Sequence, residues 1–145
     1  MRTPRLDRDR QQWIFDYLVQ ETGKVFHWDE EGRQVPASVK SHAQISKHLG
    51  RMGQRFERVA AEEEAAGHSA TAFELYYRAS STFAAAQHPV LETNDEKRYL
   101  HGRCIANYEK VIEHAPHKIE RLEIPFEGVE LQCNFHLMPG EPKAP

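Results

Sequence analysis

Between Ala65 and Gln87 the chain reads AAGHSATAFELYYRASSTFAAAQ, one helix closing and a second opening around Gly67. A glycine just past a helical run is the residue expected at a C-terminal cap, and Ser69 is a candidate N-cap for the second helix. The reading is two antiparallel helices joined by a tight turn. In the second, Phe73, Tyr76, Tyr77, Ser80, Phe83, Ala84 and Gln87 recur at helical spacing, so one face carries large rings diluted by small residues. Such a stripe is mostly core, because burying rings is what cores do.

N-terminal to this hairpin a long helix is expected from about Ala37 to Ala66, capped by Ser38 or Ser41, with Ile45, Leu49, Met52, Phe56 and Val59 as its seam. Gly50 and Gly53 inside it predict a kink, a break or a close helix crossing, since each costs about 1 kcal/mol relative to Ala in a helix interior. Before that, 24–36 reads as a loop around the turn-like Asp29-Glu30-Glu31-Gly32, with Val25 to Trp28 passable as a brief extended segment. A first short amphipathic helix is expected over Leu6 to Glu21, on Leu6, Trp13, Ile14, Tyr17 and Leu18.

C-terminal to the hairpin, Pro89 breaks the pattern and Thr93 or Asn94 can cap a further helix, which runs to about His114 and stops at Pro116. Then the period changes. Ile119, Leu122, Ile124 and Phe126 begin an extended segment, Glu127-Gly128 makes the turn, and Val129, Leu131, Cys133, Phe135 and Leu137 alternate with polar residues. Two strands alone are marginal in water, so this β-hairpin calls for a larger sheet. The tail from Pro139 to Pro145, with three prolines, reads as a linker.

The totals exclude more than they assign. One domain's worth of chain, 145 residues with 39% apolar composition, allows a modest helical core. Nineteen basic residues are interleaved with twenty-two acidic ones at net charge −3, which leaves no electrostatic footprint for nucleic acid. With neither an eighteen-residue apolar run nor a secretory signal, no membrane role is expected and the default location is cytoplasmic. Cys104 and Cys133 make no metal or disulfide framework.

Nine histidines invite a metal, but His114 and His117 straddle Pro116 and no HExxH or Cys/His quartet occurs, so neither metal nor cofactor is expected. His114 reads as a partner for a helix carbonyl end. Glu62-Glu63-Glu64 reads as a solvated face, and Ser80-Ser81 lies inside a helix without a nucleophile elbow. The residues hold no complete catalytic set.

From Ala70 to Gly140 the order is a helix bearing YYRASSTF, a helix ending YEKVIEHAP, then HKIERLEIPFEGVELQCNFHLMPG. This resembles the N-terminal portion of the α/β-hydrolases related to 2,6-dihydroxypseudooxynicotine hydrolase and the fermentation-respiration switch esterase-like proteins. There a helical cap precedes the hydrolase domain and a hairpin of this form opens its sheet. Glu120, Leu122, Ile124, Pro125, Phe126, Glu127 and Gly128 match it, with Phe135, Leu137 and Pro139 at the second strand and its exit.

The resemblance implies a mainly α fold: a cap of about four antiparallel helices over residues 1–116, a β-hairpin over 117–139 belonging to a hydrolase sheet, and a linker over 140–145. The implied protein is a serine-type hydrolase of an ester or of a carbon–carbon bond beside a ketone. Its triad matches no position here, so the chain alone is expected to be inactive. The implied partners are the downstream hydrolase domain and a small-molecule substrate, with a homodimer a further expectation. Phe73, Tyr76, Tyr77 and Phe83 are the candidate substrate-pocket wall. The rival reading is a tetratricopeptide-like interaction module, suggested by the Ala-Gly-His-Ser-Ala turn, and the C-terminal hairpin discriminates against it.

Overall fold

The computed structural model describes residues 25–26, 34–35, 39, 41–137 and 140. Among these, the elements are β1 (Val25–Phe26), β2 (Gln34–Val35), α1 (His42–Ala65), α2 (Ser69–Gln87), α3 (Asp95–His114), β3 (Ile119–Phe126) and β4 (Val129–His136). The chain is thus mainly helical, with three helices among the described residues and an antiparallel hairpin at its C-terminal end. The first helix expected over 6–21 lies outside the described residues. Where a loop was expected at 24–36, Val25 pairs with Val35 and Phe26 with Gln34 in a two-residue antiparallel ladder. The acidic turn signal falls between the two paired segments.

The α1–α2 turn closes as a Schellman motif. Gly67 takes φ +81°, a conformation glycine adopts without a Cβ penalty; its N–H donates to the Glu64 carbonyl at 3.0 Å and the His68 N–H to that of Glu63 at 2.9 Å. Two orphan carbonyls of α1 are satisfied. The cap residue of α2 is His68 rather than Ser69, which is instead the first helical residue. At α3 the cap is Asn94, whose side chain accepts from the Lys97 N–H at 2.9 Å, with Asp95 and Glu96 in the first turn where the helix dipole favours anions.

The helix α1 begins at His42, after Ser41, and runs without a break through Gly50 and Gly53. Those glycines serve close crossings. A Cβ on Gly53 would sit 3.1 Å from three ring atoms of Phe83, and one on Gly50 would sit 3.3 Å from Leu100. Phe83 is fully buried there with Ile45, Leu49, Ala79, Ala86, Val90 and Leu100. A second cluster, Ala60, Ala72, Tyr76 and Val111, continues the core toward the α1–α2 turn. The middle helix α2 packs on both neighbours, and its ring-and-alanine alternation is the geometry that lets it.

The strands β3 and β4 pair from Ile119↔His136 to Phe126↔Val129 across the Glu127-Gly128 turn, both of whose residues have positive φ, as a primed hairpin turn requires. Opposite residues share a face. One face therefore carries Leu122, Ile124, Phe126, Val129, Leu131, Cys133 and Phe135, with Glu120 at its end; the other carries Arg121, Glu123, Glu130, Gln132, Asn134 and His136, with Ile119 and Pro125. The apolar face is open to solvent, with Phe126 and Val129 at 54% and 59% exposure.

Candidate functional site

Two regions hold the chemistry of the described residues. The first is a polar network where the core cluster of Tyr76 meets the α1–α2 turn. The Tyr76 hydroxyl donates to Glu64 at 2.5 Å, and Lys110 donates to the other oxygen of the same carboxylate at 3.1 Å and to Glu113 at 2.8 Å. The Tyr76 bond above all, then Lys110, holds the Glu64 carboxyl down to about 2, while burial first and then Glu64 push the Tyr76 phenol up to about 12. Lys110 is raised by Glu113 and then Glu64. At neutral pH this is a fixed arrangement of one phenol, two carboxylates and one ammonium.

His114 stacks on Tyr76, with ring centroids 6.0 Å apart, and its Nδ1 is 3.0 Å from the Ser69 hydroxyl. Its Nε2 lies 3.2 Å from Glu64 but off the hydrogen-bonding axis, so that buried nitrogen has no hydrogen-bond partner. Serine, imidazole and carboxylate therefore meet without forming a relay, because the second link is misaligned. Glu64, Glu113 and His114 are also close enough to share a cation, and the Lys110 ammonium already sits between the two carboxylates. Glu64 is thus no solvated face residue. Its partners lie 12 to 50 positions away, and no local pattern announces them.

Beside this network a groove of about 380 Å³ runs between α1 and α3, with Ala61 and Ala106 giving it width and Tyr76 on its lining. Glu57 pairs with Arg103 and accepts from the buried Asn107 amide at 2.8 Å; the Asn107 carbonyl oxygen and Arg103 Nε remain without partners. The four ring residues of the expected pocket wall are not gathered on one surface. Phe83 is fully buried against Gly53, Phe73 is half-buried on the second core cluster, Tyr76 lines the groove, and Tyr77 is exposed.

The second region is the hairpin and its seat. Glu109 of α3 pairs with Arg121 of β3, and Tyr108 of α3 hydrogen-bonds His136 of β4 at 2.8 Å. Both links reach the hairpin's polar face, which leaves the apolar face turned away from these ties. Along the edges the pairing alternates: with Phe126↔Val129 closing the two-residue turn as a hydrogen-bonded pair, Pro125↔Glu130, Glu123↔Gln132 and Arg121↔Asn134 point their backbone groups outward. Pro125 has no N–H to offer, so β3 presents an interrupted edge. The outward positions of β4 contain no proline.

No helix among the described residues is long and apolar enough to cross a membrane. No protein-family model matches the sequence. Over 79 residues, 52% of this chain, the sequence is 34% identical to the alpha/beta hydrolase ucsC of Acremonium sp. That stretch spans only 16% of the length of the hydrolase, so the likeness links the chain to a part of an α/β hydrolase, a far longer protein.

Proposed function

We propose that this chain is the N-terminal portion of a serine-type α/β-hydrolase, its helices (residues 1–116) a cap over the active site and its hairpin (117–139) the opening of the hydrolase sheet, with 140–145 the linker onward. The observation that carries the reading is the hairpin: seven apolar or thiol side chains on one face, six of them 38% or more exposed, beside a β4 edge without proline. A sheet face of that composition needs a covering layer, and an edge of that kind needs a further strand. The likeness to an α/β hydrolase supports the same assignment. The cap would exclude water and shape a pocket for an ester or for a ketone-activated carbon–carbon bond. Within the cap, Tyr76, which lines the groove, and the exposed Tyr77 would meet a substrate, and Phe73 and Phe83 would back them from the core.

Hydrogen exchange tests the sheet assignment. In this chain alone the outward amides of Glu130, Gln132 and Asn134 should exchange rapidly, and in the chain joined to a hydrolase domain they should be protected. Equal exchange in both would overturn it. Turnover of a chromogenic short-chain ester by this chain alone would overturn the placement of the triad outside it. In the joined enzyme, Tyr77→Phe and Tyr76→Phe should alter kcat or KM; unchanged values for both would remove the pocket role.

A further inference from the structure

Three side chains form a continuous hydrogen-bonded line from the helices into the hairpin. The Tyr108 hydroxyl is 2.8 Å from His136 Nε2, and His136 Nδ1 is 2.8 Å from His117 Nε2, with the two imidazole rings 5.0 Å apart and tilted by 38°. Tyr108 belongs to α3, His117 to the connector after it, and His136 to the last position of β4. From these contacts we infer that the histidine pair is a proton-operated latch, which ties the connector after α3 to the end of β4 while the pair carries one positive charge or none and releases that tie when both rings are cationic.

The number of protons at a single contact decides the state of the latch. A 2.8 Å contact between two ring nitrogens requires one N–H and one lone pair. In the uncharged pair either tautomer order works: Tyr108 donates to His136, which donates to His117, or the direction reverses along the whole line. One added proton keeps the contact, because a His136 imidazolium donates from Nδ1 to His117 and from Nε2 to the Tyr108 oxygen. A second proton gives His117 Nε2 a hydrogen that points at the hydrogen on His136 Nδ1. Two donors and two like charges then face each other, and the rings must part.

The groups around the line do not soften that outcome. On α3, Glu109 is held by Arg121 of β3; in the connector and β3, Lys118 is held by Glu120. From α2, Tyr77 faces Tyr108, whose phenol is pushed up by burial and then by that neighbour, so Tyr108 stays a neutral donor or acceptor throughout. Glu109 and Glu120 therefore each already have a cation. The Tyr108–His136 bond, with the imidazolium as donor, and the exposed Glu109–Arg121 pair persist beside the open latch.

The test is an NMR acid titration of the 145-residue chain, carried down until the imidazole nitrogen shifts show both rings protonated, and reading with those shifts the His117–His136 ring cross-peak and a Leu122–Cys133 cross-strand peak that reports an intact hairpin. The His117–His136 peak should survive the first proton and vanish as the nitrogen shifts show the second arriving, with the Leu122–Cys133 peak unchanged. In His117→Gln the neutral amide can accept from the His136 imidazolium, so the cross-peak between the substituted side chain and His136 should persist through the whole titration. A wild-type peak that outlasts double protonation would overturn the latch. So would loss of the corresponding peak in His117→Gln at the same pH as in the wild type.

Discussion

Phe83 and Phe135 are the same side chain in opposite circumstances. The first is 0% exposed and pressed onto Gly53; the second is 52% exposed on a strand face. In the helices the sequence uses alanine and glycine so that rings can be enclosed, whereas in the hairpin it places a row of apolar residues that stand 38% or more exposed, Cys133 aside. The helical unit holds an apolar core, and the hairpin holds its ladder and a few polar ties to α3 and the connector. If the hairpin belongs to another layer, substitutions in the two regions must behave differently in this chain.

The largest expected contrast is at the rings themselves. Phe83→Ala removes a fully buried ring from between three helices and should cost about 3–5 kcal/mol, read as a drop in denaturation midpoint. A loss below about 1 kcal/mol would mean that the core is far looser than its burial implies. The glycines of the helices supply a paired test of smaller size. Gly53→Ala gains about 1 kcal/mol of helix propensity but drives a methyl to within 3.1 Å of a ring that has no room to move, so a net loss of about 1 kcal/mol is expected. Gly102→Ala, on an exposed turn of α3 with nothing within 4 Å of the added methyl, should instead stabilise by about 0.5–1 kcal/mol.

How much of this was legible in the sequence depends on how local the determinant is. Gly67 and its turn, the end of α3 before Pro116, and the Glu127-Gly128 hairpin with its alternation are set by neighbours a few residues apart, and they stand where the sequence pattern places them. The role of Gly50 and Gly53 was legible only as a choice among kink, break and crossing, because the answer lies in Phe83 and Leu100 on other helices. The Glu64 network was not legible at all. Its members Tyr76, Lys110 and His114 come from two other helices, and within its own run Glu64 looks no different from Glu62 and Glu63. The four-ring stripe showed the opposite problem: helical spacing puts Phe73, Tyr76, Tyr77 and Phe83 on one broad side of α2, but neighbours on two flanks divide that side into core, groove and surface.

That network makes a pH prediction whose sign is fixed. Glu64 sits at about 2 in the folded chain against an ordinary value of 4.5, so the unfolded state binds its proton first. The stabilisation is complete above about pH 5 and is lost as pH falls from about 4.5 to 2. With its side chain 31% exposed, solvent screening keeps the contribution near 1 kcal/mol. In Glu64→Gln the denaturation midpoint should fall at neutral pH and lose less than the wild type on acidification to about pH 3. Parallel pH profiles for the two proteins would remove Glu64 from the balance.

The smallest effect is the most informative for the comparison. Phe135→Ala removes a ring that is half in water already, so in this chain it should change stability by no more than about 0.5 kcal/mol. The same substitution in a complete hydrolase, where the apolar face of β3 and β4 would lie under other elements, should cost as much as a core ring, about 3 kcal/mol or more. The two numbers are linked, because the exposed surface in one context is the buried surface in the other. A cost of several kcal/mol in this chain would show the hairpin face already covered by residues of the chain itself; a negligible cost in both contexts would leave the face without a covering layer and sever the hairpin from the hydrolase sheet.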